Sequence, residues 1–183
     1  MAAVVIDRRR VLAGGAALLL AACAPATTRP TDSRPTTATG PGRDPDAVRV
    51  RFDGFAGGPG FSLPDDLAGR PLVVNFWASW CTPCRKEMPV FQAVSQQLRG
   101  RVDFLGVDYL DQAGPARRLV AETGVTYRLA ADPRGGAGAQ LGIAGLPTTL
   151  FVDASGVLTG RRAGALDAPR LREAIRSYLA ITP

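Results

Sequence analysis

The 183-residue chain has no histidine, a single lysine, three cysteines and two methionines. Without histidine it cannot assemble a Ser-His-Asp or Cys-His nucleophile, nor bind a metal through imidazole. Three cysteines are too few for a disulfide-stapled scaffold. The positive charge is almost entirely arginine, scattered, with Lys86 the one lysine and no basic run interleaved with aromatics. That leaves nucleic-acid binding without support. The net charge is +6, of which residues 1–22 supply +2, three arginines against Asp7, so the remainder is near +4. The longest apolar run, Val11 to Ala22, is too short for a comfortable membrane span.

That run follows Arg8-Arg9-Arg10, the charged-then-apolar order of a secretory signal. Its end, Leu20-Ala21-Ala22-Cys23, resembles a lipobox. On that resemblance Cys23 becomes the first mature residue and carries lipid. An incidental cysteine in an uncleaved anchor is the competing reading; both tether the protein to a membrane, facing outward. The arginines also resemble, imperfectly, a twin-arginine export signal. From Ala24 to Ala47 the chain is rich in Thr, Pro, Gly, Arg and Asp with almost no large apolar residue. Such a stretch cannot bury enough surface to offset its ordering entropy, so a flexible tether is expected. The expected organisation is a signal peptide at 1–22, a lipidated cysteine and tether at 23–47, and one folded domain at 48–183.

Within that domain, Val48-Arg49-Val50-Arg51-Phe52 alternates as a half-exposed edge strand would, and Phe61-Ser62-Leu63 is a weak second strand. Leu72 to Trp77 is apolar on both faces, as a buried parallel strand requires. After Cys84, residues Val90, Phe91, Val94 and Leu98 recur at helical spacing, with Pro89 inside and Gly100 at the end. Val102–Val107 is expected as a strand and Pro115–Thr123 as a helix closed by Gly124. Tyr127–Ala130 is expected as a strand and Gly135–Leu141 as a weak helix. Residues 147–152 and 157–160 form a hairpin around Asp153-Ala154-Ser155-Gly156. Asp167 caps a last helix whose apolar stripe is Leu171, Ala174, Ile175, Tyr178 and Leu179. The predicted fold class is α/β, a mixed central sheet with helices on both faces.

The chemistry lies in Cys81-Thr82-Pro83-Cys84, placed directly after Trp80 and the buried strand. Two thiols with two residues between them close a disulfide with little chain movement. A helix starting there stabilises a thiolate at the first position. Strand, CxxC, helix is the outline of a thioredoxin-type redox site. Arg85 follows Cys84, so the motif is not the CxxCH of covalent haem attachment. With Cys23 taken by lipid, two remaining thiolates make a poor zinc site.

Asn75 to Cys84, then Glu87-Met88-Pro89, then Gly145-Leu146-Pro147-Thr148-Thr149 with Asp153 and Gly156, resemble the TlpA-like branch of the thioredoxin superfamily. That branch includes ResA-like and DsbE/CcmG-like membrane-tethered proteins, and the resemblance covers residues 48–181. It implies a thioredoxin fold with an N-terminal β-hairpin extension. It implies Cys81 as nucleophile and Cys84 as resolving thiol, with Thr82 and Pro83 setting the local geometry. Pro147 matches the family's cis-proline, which holds backbone beside the pair; Thr148 lines the same groove. Trp80 either shapes the substrate face or shields the helix start. Trp77 and Phe76 are expected in the core.

Classical thioredoxin resembles this chain but has a buried aspartate where Asn75 stands. The titrating role is then absent or moved to Glu87, one turn past Cys84; a solvated Glu87 paired with Arg85 or another arginine is the competing reading. Asp108 ends a strand and stays unassigned. Arg85 and Lys86 either favour the thiolate or form a solvated face. No cofactor is expected beyond the Cys81–Cys84 disulfide.

The resemblance implies a thiol–disulfide oxidoreductase, in the reducing direction, working as a monomer. Its partners would be disulfide-bearing proteins such as apocytochrome c and a membrane electron donor of the DsbD/CcdA kind. Two alternatives stand beside it: a DsbE-like oxidant of exported proteins, and a non-catalytic copper or zinc chaperone.

Overall fold

Leu72–Trp77 (β3) is buried at all six positions and lies in the interior of a seven-stranded sheet. The structure, a computed structural model, describes residues 46–182. The expected signal peptide, Cys23 and all but the last two residues of the tether lie outside the described residues. Ahead of β3 come β1 (Val50–Gly54), a 3-10 turn at Phe55–Gly57 and β2 (Phe61–Leu63). After it come α1 (Thr82–Gln97), β4 (Asp103–Tyr109), α2 (Ala113–Thr123), β5 (Arg128–Asp132) and α3 (Gly136–Gln140). The chain closes with β6 (Thr148–Val152), β7 (Leu158–Ala163) and α4 (Ala168–Leu179).

The strand order is β2-β1-β5-β4-β3-β6-β7. β3, β4 and β5 run parallel, joined by helical crossovers, while β6 is antiparallel to β3 and β7 to β6. This is the thioredoxin fold. The β1–β2 hairpin is the expected N-terminal extension, with Val50 opposite Leu63 and Phe52 opposite Phe61. β1 is not an edge strand, however: Asp53 and Gly54 pair with Ala131 and Ala130 of β5. Its alternation arises because Val50 and Phe52 face the core while Arg51 and Asp53 face away.

Alternation along the central strands divides the core. Leu72, Val74 and Phe76 point to one face, where they meet Leu105, Val107, Leu150 and Ala137 of α3. Val73 points to the other, against Phe91 and Val94 of α1 and Leu171 and Ile175 of α4. Trp77 joins a third cluster there, with Cys81, Cys84, Met88 and residues Ala116 and Leu119 of α2. The helices therefore cover both faces, three on one side and the short α3 on the other. Asp167 caps α4, accepting the Arg170 N–H at 2.9 Å, and Gly124 ends α2 at φ 65°. Leu171 is fully buried between α4 and the sheet. Leu171→Ala is expected to cost roughly 2–5 kcal/mol in urea unfolding, as a cavity in a packed core does.

Candidate active site

Cys81 and Cys84 form a disulfide at the start of α1, with Cα atoms 5.3 Å apart. Cys81 is the N-cap residue: its Sγ accepts the Cys84 N–H at 3.3 Å, in place of the oxygen that caps most helices. Pro83 sits in the first turn, where its missing N–H costs nothing. Thr82 and Pro83 are exposed, whereas Cys84 is sealed behind them. Both sulfurs belong to the cluster with Trp77 and Met88; Cys81 keeps 4% of its surface exposed and Cys84 none.

Trp80 is 62% exposed beside the disulfide, and Leu110 is 48% exposed. They are the exposed large hydrophobic residues among those described, and the Trp80 indole N–H donates to the Leu110 carbonyl at 3.3 Å. Trp80 therefore lies largely on the open surface beside the disulfide, while Trp77 and Phe76 are in the core. Leu110 was not singled out by the sequence. Its left-handed backbone, φ 51°, gives no residue-type signal in a leucine.

The Leu146–Pro147 peptide bond is cis. Leu146 packs against the cluster holding both cysteines. The Thr148 hydroxyl donates to the Gly145 carbonyl at 2.7 Å, and the Pro147 carbonyl accepts the Gly164 N–H at 2.9 Å. The loop before β6 is thereby tied at both ends. A second cis bond, Leu63–Pro64, lies in the hairpin extension and had no motif to announce it.

Glu87 is buried in α1, and no arginine among the described residues forms an ion pair with it. The Asn75 side-chain amide donates to its Oε1 at 2.8 Å and the Leu166 N–H to its Oε2 at 3.0 Å. Arg85 pairs instead with Glu122. Burial pushes the Glu87 carboxyl up to about 7, against the opposing pull of those two hydrogen bonds. Asn75, standing where a titrating acid was lacking, thus holds the acid that α1 supplies. The Tyr127 phenol is pushed well above its ordinary value by burial and by the Glu87 charge. Trp77 and Tyr127 lie over β4 at Gly106, where an added Cβ would come 2.9 Å from Trp77 Nε1 and 3.0 Å from the Tyr127 ring.

Asp108 is also buried, on the same side of β4 as Gly106. Burial raises its carboxyl to about 7, helped by the charge of Asp111 and a hydrogen bond with it. Among the described residues no group of three or more His, Cys, Asp or Glu is placed to hold a metal ion.

A thioredoxin fold with a Cys-x-x-Cys disulfide capping the helix after its central strand defines a thiol–disulfide oxidoreductase. Residues 48–175 match the family model described as Redoxin. Over 138 residues the chain is 36% identical to the thiol:disulfide interchange protein HelX of Rhodobacter capsulatus, 75% of this chain and 77% of that one. It is 36% identical over 120 residues to DsbE of Pseudomonas fluorescens biotype C, spanning 60% of this chain and 66% of that relative. The solved structure of MTB DsbF, in mixed oxidized and reduced forms, superposes with a TM-score of 0.66 at 28% identity. That match covers 73% of this chain and 98% of DsbF. The chain belongs to the Redoxin family, in the branch of DsbE-like thiol:disulfide interchange proteins.

Proposed function

We propose that the protein is an outward-facing, membrane-tethered thiol–disulfide oxidoreductase that works as a reductant, with residues 1–22 as its signal peptide, Cys23 lipidated and residues 24–47 as the tether. The observation that supports the chemistry best is the placement of the pair, Cys81 as the N-cap of α1 and Cys84 one turn inside and fully buried. The membrane placement rests on the sequence of residues 1–23; among the described residues no helix is long and apolar enough to cross a membrane.

In the reducing direction, the Cys81 thiolate attacks a partner disulfide. A Cys81–partner S–S bond forms, the partner's own S–S bond breaks, and the released partner thiolate takes a proton. Cys84 then loses its proton and attacks Cys81 Sγ, closing the Cys81–Cys84 disulfide and releasing the second partner thiol. Two electrons pass to the partner. Glu87, three residues beyond Cys84 and poised near neutrality, is the base for the Cys84 proton. Trp80 and the exposed Thr82 form part of the surface that meets the partner, and Thr148, buried beneath it, braces the loop at Gly145. Pro147 has no N–H and its carbonyl is occupied by Gly164, so pairing with a substrate strand falls to Leu146. The resemblance to TlpA-like proteins points to apocytochrome c thiols as substrate and to a DsbD/CcdA-like donor that re-reduces the pair.

The midpoint potential of Cys81–Cys84 tests the direction. A reductant is expected near the thioredoxin value of about −270 mV; a value near the roughly −120 mV of DsbA would assign the protein to disulfide formation instead.

A further inference from the structure

β3 and β4 are parallel neighbours whose backbone register ends at the Trp77–Asp108 pair. Beyond it β3 gives way to the turn before Cys81 and β4 to the loop before α2, and side chains take over from the ladder. The turn is closed by the Cys81 N–H on the Ala78 carbonyl at 3.1 Å, with Ser79 and Trp80 at its two middle positions. Asp111 holds the first of these. One carboxyl oxygen accepts the Ser79 N–H, and the other accepts the Ser79 hydroxyl at 2.9 Å. Leu110 holds the second, its carbonyl accepting the Trp80 indole N–H at 3.3 Å. The clasp is reciprocal: a side chain from each loop reaches the backbone of the other.

The two sides of the clasp are not equally fixed. On the loop side, the Leu110 N–H donates to the Asp132 carbonyl at 3.1 Å and the Gln112 N–H to Asp111 Oδ1 at 2.7 Å. Leu110 is held there in the left-handed region, φ 51°, which is sterically costly for a leucine. On the turn side, Cys81 has supports of its own: the Ala78 carbonyl takes its N–H, and its Sγ caps α1. Trp80 has less. Its ring is largely exposed, so the indole bond and the grip on the residue before it decide where it points.

We propose that Asp111 and Ser79 are positioning residues, whose clasp fixes Trp80 in the orientation in which a protein partner docks beside Cys81. Neither takes part in the sulfur chemistry. A side chain ordered in advance spares the partner the entropy of immobilising it, so loss of the clasp weakens docking and leaves the exchange step as it was. The proposal rests on the reading of Trp80 as part of the surface that meets the partner.

In the full-length protein, Asp111→Ala is expected to raise KM for insulin about fivefold, with kcat within about twofold of the natural chain. In Asp111→Asn the amide oxygen still accepts the Ser79 N–H and the amide nitrogen donates to the Ser79 hydroxyl. That variant is expected to bring KM back to within about twofold of the natural value. Ser79→Ala removes one bond of the clasp and is expected to raise KM in the same direction, but to add nothing in the Asp111→Ala background, where its partner is already gone. An unchanged KM in Asp111→Ala, a loss carried by kcat, or no rescue by Asp111→Asn overturns the proposal. A second measurement does not depend on turnover. The chain has two tryptophans, so two indole N–H signals are expected in a proton–nitrogen spectrum. In Asp111→Ala the heteronuclear NOE of the Trp80 indole is expected to fall toward that of a mobile side chain, while buried Trp77 keeps its value. An unchanged Trp80 NOE overturns the proposal. A natural chain that does not turn over insulin overturns the reading beneath the proposal, and the proposal with it. The indole result still reports whether the clasp holds Trp80, so the two failures are distinguishable.

Discussion

Cys81→Ser is expected to bring thiol–disulfide exchange down to the uncatalysed rate. Serine keeps the N-cap position, since its oxygen accepts the Cys84 N–H at least as well as sulfur does. The helix start is therefore preserved and only the nucleophile is lost, because a hydroxyl at neutral pH does not attack a disulfide. Cys84→Ser removes catalysis for a different reason: the attack by Cys81 goes through but nothing resolves the mixed disulfide. An insulin-reduction assay with dithiothreitol is expected to show no catalysed turnover for either variant, with a trapped mixed disulfide in Cys84→Ser alone, while both unfold at about the natural chain's urea midpoint. Retained turnover in Cys81→Ser contradicts the assignment of the nucleophile.

The oxidised domain is expected to lose stability as pH rises through the acidic range. The sign follows from Glu87. Its carboxyl titrates at 4.5 when unfolded and at about 7 in the fold, so the folded state holds the proton more tightly. The stabilisation is complete below pH 4.5, declines between there and about pH 7, and is absent above. A shift of that size corresponds to about 3 kcal/mol at 1.36 kcal/mol per unit. Asp108 adds a decline of the same sign, from its own raised carboxyl. Urea unfolding of the oxidised protein at about pH 5 and about pH 8 checks this. Glu87→Gln, whose amide needs no desolvated charge, is expected to flatten the curve by roughly half and to be the more stable protein at the higher pH. A natural chain equally stable at both pH values contradicts the burial of Glu87 as an acid.

The order of elements was legible because each rests on local chemistry. Leu72–Trp77 is apolar at every position, Gly124 and Asp167 mark helix ends, and Asp153–Gly156 marks a hairpin. Boundaries moved by one to three residues where hydrogen bonding extends past the apolar run, as at Asp108 and Tyr109 of β4. The alternation of β1 resembles an edge strand although β2 and β5 pair with it on both sides, since half-exposure in a sequence does not distinguish an edge from a strand whose outer face is solvated. The Cys81–Cys84 pair and the cis bond before Pro147 were legible because CxxC and Gly-x-Pro-Thr are contiguous motifs. Glu87 stayed ambiguous between buried and solvated because its donors, Asn75 and Leu166, come from 12 and 79 residues away. The Asp111 grip on Ser79 spans 32 residues and has no motif. Long-range polar pairing of this kind follows from the fold, not from spacing along the chain.

The chemistry turns on Cys81 being the sulfur that meets the partner. The most direct measurement is a peptide map of the mixed disulfide formed when reduced Cys84→Ser is mixed with a disulfide-bonded substrate peptide and quenched with acid. The predicted result is one adduct per chain, on the peptide that contains Cys81. No adduct at Cys81, or equal trapping by Cys81→Ser through Cys84, would contradict it.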